Sequence, residues 1–224
     1  MKKNKWITLT LVLVLLIGLV LIFSTPIKNW LVSVNSDALA VEAMDANDID
    51  ENQQKEASFD FDEVQLLDFK TVTAAQFNID QINVIGGISI PSVGLNLPIG
   101  KGTSEYTLAL TAGTMKEDQI MGEGNYTLAG HHMNRSDLLF SPLYEVEIGA
   151  VVYLTDLNMI YEYKITEQRT INATEVSVLD NNPNETALTL ITCDDDGVTR
   201  LLTIAKFSKT IPIEEANSDM LKAF

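Results

Sequence analysis

The middle of the chain, from residue 71 to residue 212, consists of short β-branched and aromatic runs separated by glycine, asparagine, aspartate and proline. This pattern predicts strands joined by turns and leaves little room for amphipathic helices. About eight strands in about 140 residues favour an all-β sandwich or barrel with short helices. Helical turns are expected at 114–121 and at Ser141, an N-cap before Pro142. The predicted strands cover residues 79–85, 87–90, 106–110, 125–129, 151–155, 160–166, 187–192 and 201–207.

The N-terminal region contains an apolar run at 6–23 that only two threonines and a glycine interrupt. As a helix this run is about 27 Å long, which matches the hydrocarbon core of a bilayer. Lys2, Lys3 and Lys5 precede it, and this bias places the N-terminus in the cytoplasm. We therefore predict one transmembrane signal anchor at 6–23, with residues 1–5 inside. A cleaved signal peptide is the alternative, but the best small-residue cleavage site, at 38–40, lies too far downstream.

The next segment is acidic, with eleven acidic residues and one lysine between 37 and 68. We predict an extracellular stalk or linker at 24–68, a globular domain at 69–212 and a C-terminal tail at 213–224. A docking or autoinhibitory role for the acidic segment is the alternative. The whole chain has 31 acidic and 15 basic residues and a formal net charge of −16. We therefore expect no nucleic-acid partner, because phosphate binding needs clustered basic residues.

Two motifs that directly follow predicted strands contain residues suited to nucleophilic chemistry at neutral pH. They are His131 and His132 after Gly130, and Cys193 after Thr192. The thiolate is the reactive form of cysteine, and only a few per cent of a free thiol is ionised at pH 7, so a catalytic cysteine needs a nearby histidine or another cation. Structural roles are the alternative, because free cysteines are often buried.

Arg200 is a second candidate cation. If Cys193 ends one strand and Arg200 begins the next, the two are hairpin neighbours, and the guanidinium would hold a substrate carbonyl or stabilise an oxyanion. The acidic turn at 194–196 favours the thiol over the thiolate. One cysteine excludes an intramolecular disulfide. A metal site made of the cysteine, an aspartate, His131 and His132 is disfavoured, because adjacent residues of a strand point to opposite faces.

Residues 189–193, Thr-Leu-Ile-Thr-Cys, resemble the TLxTC signature of sortases, the cell-wall transpeptidases of Gram-positive bacteria. Residues 128–133, Leu-Ala-Gly-His-His-Met, are similar to the histidine strand of that family, and Arg200 stands near the start of the strand after the cysteine. Segments at 90–99 and 112–115 resemble class A sortases in particular. The resemblance implies an eight-stranded closed β-barrel of the sortase type, preceded by the transmembrane helix.

The resemblance also implies a mechanism. Cys193 would attack the Thr–Gly bond of an LPxTG sorting signal in a secreted protein and form a thioester. His131 would protonate the leaving amine and deprotonate the incoming amine of lipid II or its cross-bridge. Arg200 would position the substrate and stabilise the oxyanion, and Thr192 would support the substrate by hydrogen bonding. His132 is the poorer candidate for the base.

A long loop at 167–186 would flank the groove of such an enzyme. Within it, Val176, Val178 and Leu179 are similar to the family segment that contacts the leucine and proline of the sorting signal. Apolar side chains suit a pocket of this kind. The alternative is that these residues pack against the barrel.

Some class A sortases bind calcium, and the matching positions here are Lys116, Gln119, Glu123 and Asn181. Only Glu123 is a carboxylate, whereas calcium prefers several oxygen ligands with compensating charge. We therefore predict no calcium requirement, no other metal and no cofactor.

Two other functions stay open. A cysteine peptidase would hydrolyse the same signals with water as the final acceptor, and a non-catalytic domain would only bind sorting-signal peptides. The resemblance places the protein in the cell membrane, as a single-pass protein with its catalytic domain outside. The expected partners are LPxTG-bearing secreted proteins, the amine of lipid II or peptidoglycan, and the membrane itself.

Overall fold

The computed structural model describes residues 2–60, 67–193 and 198–224, and its centre is a closed barrel of eight strands. Around the barrel the strand order is β1-β2-β3-β4-β7-β8-β6-β5. The β2–β3 and β4–β7 pairs are parallel, and the other pairs are antiparallel. The predicted eight-stranded closed barrel is confirmed. Its strands are β1 (Val84–Ile90), β2 (Leu95–Gly100), β3 (Ala112–Thr114), β4 (Asn125–Gly130), β5 (Val151–Thr155), β6 (Met159–Asn172), β7 (Ala187–Cys193) and β8 (Thr199–Pro212).

The barrel closes around large apolar side chains. Alternate residues of a strand face the same side of a sheet, so one set from each strand fills the interior. Ile88 on β1, Leu128 on β4 and Leu190 on β7 belong to this set and are fully buried. The ring of Tyr163 on β6 meets that of Phe207 on β8 edge to face, with centroids 5.5 Å apart.

The predicted strand at 106–110 is wrong, because these residues form a helix of the barrel domain (Glu105–Leu110). Ser104 caps this helix: its hydroxyl accepts a hydrogen bond from the backbone N–H of Thr107 at 3.2 Å. The last four residues of the helix are all buried, so the sequence shows no helical period that could be distinguished from a buried strand. The first predicted strand starts too early, since Ile79–Gln81 is a 3-10 turn. The predicted turn at Ser141 is a 3-10 helix, Ser141–Glu145.

The α-helices are α1 (Lys2–Ile22), α2 (Ser24–Ala38), α3 (Ala46–Gln53), α4 (Phe69–Phe77), α5 (Glu105–Leu110) and α6 (Ser218–Leu221). Among the described residues, no helix taken singly has both the length and the apolar character to cross a membrane. Lys5–Leu19 and Ser24–Ala38 together meet these requirements by length and composition, with their axes bent by 59°. The predicted single transmembrane helix at 6–23 is therefore not confirmed.

Much of the segment predicted as a stalk contacts the barrel domain. Helix α2 packs against α4 and α5. Asn52 of α3 donates a hydrogen bond to the carbonyl of Val84 on β1 at 2.8 Å. The ammonium of Lys101 reaches back to the carbonyls of Gln53 and Lys55, both at 2.7 Å. Residues 24–55 are therefore folded along the barrel, whereas the domain boundaries remain predictions.

A few apolar residues hold this acidic segment in place. Val41 and Ile49 are buried in a cluster that includes Val84, Leu110 and the C-terminal Phe224. The acidic side chains between 42 and 51 all lie on the exposed side. The acidic composition that suggested a linker therefore belongs to the solvated face of a folded segment.

Candidate active site

Strand pairing brings the three predicted catalytic residues to one end of the barrel. Strands β4 and β7 run parallel, and Gly130 pairs with Thr192, so His131 leaves the barrel where Cys193 ends β7. Strands β7 and β8 are antiparallel, and Cys193 pairs with Arg200. Cα atoms of paired residues lie about 5 Å apart. The hairpin arrangement expected from the sequence is thus observed, and the acidic turn at 194–196 lies outside the described residues.

The backbone of His131 is held by the segment that follows it. Its carbonyl accepts a hydrogen bond from the N–H of Phe140 at 3.1 Å. Phe140 is fully buried, and its ring lies so close to Gly130 that an added Cβ would be 2.6 Å away. The hydroxyl of Ser141 accepts a hydrogen bond from the N–H of Met133 at 2.8 Å. Only glycine fits at position 130, and its close contact with Phe140 fixes the place where the chain leaves β4 at His131.

The imidazole of His131 is almost completely buried, with 5% of the residue exposed. Burial, and to a lesser extent the positive charge of Lys28, lowers the pKa of His131 from the usual 6.5 to about 4. Lys28 lies on α2, and its ammonium donates a hydrogen bond to the carbonyl of Leu67 at 3.0 Å. At neutral pH the imidazole is therefore uncharged, and it is a weaker base than a free imidazole.

His132 has a different environment from its neighbour. It is half-buried, and its ring lies 4.6 Å from the ring of Tyr144, with an angle of 32° between the planes. The two histidines follow the end of β4 at Gly130, and only the first of them is buried. This geometry favours His131 over His132 as the partner of Cys193.

Thr192 precedes the cysteine on β7, and Arg200 pairs with the cysteine from β8. Thr192 is 1% exposed, and no hydrogen-bond partner for its Oγ1 is found among the residues that the structure describes. A buried hydroxyl without a partner costs about 1–3 kcal/mol, so such a group is well suited to receive a ligand. Arg200 is half-buried, and its Nη1 donates a hydrogen bond to the carbonyl of Thr199 at 3.0 Å.

The predicted substrate loop contains a 3-10 turn at Val176–Leu179. Val178 and Leu179 are half-buried and pack against a cluster that includes Ile191 and Leu202. Val176 is 66% exposed. Ile191 lies two positions before the cysteine, so the loop packs beside the strand that carries Cys193. Two of the three residues thus pack on the barrel, and the third presents an apolar side chain to solvent.

The positions compared with calcium ligands come together in space, around an ammonium group. The Nζ of Lys116 donates hydrogen bonds to the carbonyls of Asn125 at 2.6 Å and Leu179 at 3.1 Å, and to Oδ1 of Asn181 at 3.0 Å. Desolvation lowers the pKa of Lys116 from its ordinary value, while Asp118 and Asp180 act against this shift. A positive charge placed among these oxygens does not fit a cation site.

Metal binding is not supported elsewhere in the described part of the chain, where no three histidine, cysteine or acidic side chains are grouped in a way that would hold an ion. Lys116 instead ties the substrate loop to the start of β4. Asn125 adds to this tie, because its Nδ2 donates hydrogen bonds to the carbonyls of Val178 at 3.0 Å and Asp180 at 3.2 Å. Sequence reasoning missed Asn125 and this role of Lys116, since the loop carbonyls that they bond, those of Leu179 and Val178, lie more than fifty positions away in the sequence.

The strand order and these residues at one end of the barrel define a β-barrel cysteine enzyme. Residues 88–208 match the protein family described as the Sortase domain. Sortase A of Listeria monocytogenes is 45% identical over 201 residues, which cover 89% of this chain and 90% of the relative. Sortase A of Streptococcus agalactiae is 39% identical over 222 residues, covering 96% and 90%.

The solved structure of Listeria monocytogenes sortase A superposes with a TM-score of 0.59 at 44% identity, covering 63% of this chain and 97% of that one. The chain therefore belongs to the sortase family. It is a sortase A-type transpeptidase.

Proposed function

We propose that this transpeptidase cleaves LPxTG sorting signals between threonine and glycine. It then transfers the protein, as an acyl group that ends in threonine, to the amine of a cell-wall precursor, lipid II. The observation that carries the proposal is the strand register. It pairs Cys193 with Arg200, and Thr192 with Gly130, the residue before His131. One strand end thus combines a nucleophile, a proton acceptor and a fixed positive charge.

The first half-reaction forms the acyl-enzyme. The neutral imidazole of His131 takes the proton of the Cys193 thiol, and the sulfur attacks the threonyl carbonyl carbon. The guanidinium of Arg200 stabilises the negative charge that develops on the carbonyl oxygen. When the C–N bond breaks, His131 gives its proton to the leaving glycine amine. A thioester to Cys193 and a peptide with a free amino end result.

The second half-reaction reverses these roles. The acceptor amine attacks the thioester carbon while His131 removes a proton from the nitrogen. The C–S bond breaks, a new amide forms, and the proton returns from His131 to the Cys193 sulfur. The buried hydroxyl of Thr192 supports the bound peptide by hydrogen bonding, which would supply the partner that it lacks among the described protein groups.

The leucine and proline of the signal are proposed to contact the substrate loop at 176–179. The exposed Val176 and the half-buried Val178 and Leu179 supply apolar surface beside β7. The hydrogen bonds of Lys116 to this loop keep that surface in place without a metal ion.

Residues 6–23 are proposed to anchor the enzyme in the cell membrane, with the N-terminus inside and the catalytic domain outside. Large apolar side chains along α1 are exposed at the positions whose burial is described, including Trp6 and Leu13. A helix with apolar side chains exposed on every side is stable where lipid surrounds it. The three lysines before the run set the orientation.

The test uses the full chain in detergent with an LPxTG peptide, with and without triglycine, and mass spectrometry of the products. We expect a triglycine-ligated product that disappears in Cys193→Ala. His131→Gln should reduce the rate by at least about 100-fold, whereas the matched control His132→Gln should retain most of it. Cleavage that ignores the added amine would favour a peptidase. Peptide binding without any product would favour a non-catalytic domain.

A further inference from the structure

Helix α2 buries several polar residues against the protein. Its buried residues are Asn29, Val32, Asn35 and Ser36, of which only Val32 is apolar. Within the described part of the chain, Oδ1 of Asn29 and Nδ2 of Asn35 have no hydrogen-bond partner. A helix on the surface of a soluble protein usually directs its apolar stripe to the core. The inward face of α2 is instead mixed, because Val32 and Leu31 pack on the core while three polar residues are buried on the same helix.

The outward face of α2 is apolar from residue 23 to residue 34 and ends at the exposed Asp37. Phe23 and Trp30 are 51% and 60% exposed, Val34 is exposed, and Ile27 is half-buried. These residues are spaced three or four positions apart and therefore form one stripe along the helix. Because its inner face contacts α4 and α5, the helix lies between the barrel domain and whatever covers this stripe.

The outward stripe continues into α1. Leu19, Phe23, Pro26, Ile27 and Trp30 line an apolar concave surface where the two helices meet. The axes of the two helices are bent by 59° at this point. Pro26 has no N–H to bond the carbonyl four positions earlier, and its ring crowds that carbonyl, which accounts for the bend. If α1 crosses a bilayer upright, α2 leaves it closer to the membrane plane than to the membrane normal.

We propose that the outward face of α2 lies in the interface of the lipid bilayer and docks the barrel domain on the membrane surface. The proposal rests on the membrane anchoring by residues 6–23 proposed above. Helices that lie in the interface direct apolar and aromatic residues into the boundary between headgroups and acyl chains, and tryptophan is enriched at that depth. Trp30 stands at the centre of the stripe.

This docking orients the active site. Lys28 lies on the inner side of α2, and its charge acts on the buried imidazole of His131. The helix therefore packs at the His131 end of the barrel. With α2 in the interface, this end lies next to the lipid surface, where the amine of a lipid-linked acceptor is presented. The arrangement favours membrane-bound over soluble acceptors.

The first test places the full chain in liposomes of phosphatidylcholine and phosphatidylglycerol. The chain has two tryptophans, so Trp6→Phe leaves Trp30 as the only indole. We expect bromine near the headgroup end of the acyl chains to quench Trp30, and acrylamide to quench it weakly. The control carries Trp6→Phe, Trp30→Phe and Ile148→Trp, which places the indole at an exposed position before β5. It should show the opposite response.

Two outcomes would overturn the docking. Strong acrylamide quenching of Trp30 without a brominated-lipid effect would show that the face is in water. Protection from both quenchers would show that a second copy of the chain covers it. Ligation of an LPxTG peptide to soluble triglycine in the same liposomes tests the proposed function separately, so either idea can fail without the other.

The second test measures the consequence for the reaction. Liposomes contain triglycyl-phosphatidylethanolamine, and ligation to this lipid-linked amine is compared with ligation to soluble triglycine. Trp30→Gln should lower the ratio of lipid-linked to soluble product by about tenfold, because an apolar contact with lipid is lost. Trp30→Phe, which keeps the apolar ring, should leave the ratio close to that of the native chain. An unchanged ratio in Trp30→Gln would contradict the proposal.

Discussion

The buried imidazole of His131 should make the protein sensitive to mild acid. The pKa is about 4 in the folded protein against 6.5 ordinarily. Between pH 6.5 and pH 4 the imidazole of His131 is protonated in the unfolded chain and neutral in the folded chain. The free energy of unfolding therefore falls as the pH falls. The contribution of neutral His131 is fully present above pH 6.5. By pH 4 the loss amounts to about 3 kcal/mol.

The assay is urea unfolding of the full chain in detergent at pH 7 and at pH 4, followed by far-UV circular dichroism. Carboxylates also titrate in this range, so the native chain is compared with His131→Gln, in which they remain. The variant should lose about 3 kcal/mol less than the native chain between the two pH values. His132→Gln is the matched control and should follow the native chain. Equal losses in the native chain and His131→Gln would refute the reasoning.

The two causes of the low pKa are separable. Lys28→Met removes the charge and leaves the burial, so the pKa of His131 should rise but stay well below 6.5. The chain has only two histidines, so NMR titration of their ring protons reports each one directly, with His132→Gln giving the assignment. A His131 signal that titrates at 6.5 in the native chain would show that the imidazole is in contact with water.

Three further predictions follow from particular contacts. Gly130→Ala should lower the thermal stability by about 1–3 kcal/mol because its Cβ meets the Phe140 ring; Phe140→Leu should recover part of the loss, and an unaffected single variant would contradict the packing. Lys116→Met removes the hydrogen bonds to the loop at 176–181, so it should raise KM for the sorting peptide by about tenfold with a smaller effect on kcat. Calcium or EDTA should leave the rate of the native chain unchanged, and a large activation by calcium would contradict this. Asn52→Ala should expose residues 41–58 to limited proteolysis, since it leaves the Val84 carbonyl without its hydrogen bond; an unchanged digestion pattern would show that the bond does not hold the segment.

The end of the barrel that carries the site could be predicted from the sequence because its geometry is local. Seven positions separate Cys193 from Arg200, and antiparallel pairing of two strands that are consecutive in the sequence makes them neighbours. The parallel pairing of β4 with β7 is different. It joins residues about sixty positions apart, and only the resemblance to a known family indicated that His131 would lie beside the cysteine.

The errors have physical reasons that are equally specific. Residues 107–110 are all buried, so their burial pattern could not distinguish a helix from a strand, and the cap at Ser104 was the only local signal. The sequence at Lys116 predicted no calcium requirement, because a lysine is not a calcium ligand. It could not show where the ammonium binds, because the three oxygens that it reaches lie on β4 and on a distant loop.

Helix α2 lies in the segment predicted as a stalk, and yet it affects the candidate active site. A helical projection of residues 23–36 reveals a polar and an apolar side, but which of them meets the protein is a tertiary property. The structure sets the side with the buried polar residues on the barrel and brings Lys28 close enough to act on His131. A fragment that begins at residue 59 would keep every barrel strand and lose this charge. We therefore expect the pKa of His131 in such a fragment to lie closer to 6.5, so that the isolated barrel and the full chain differ at this imidazole.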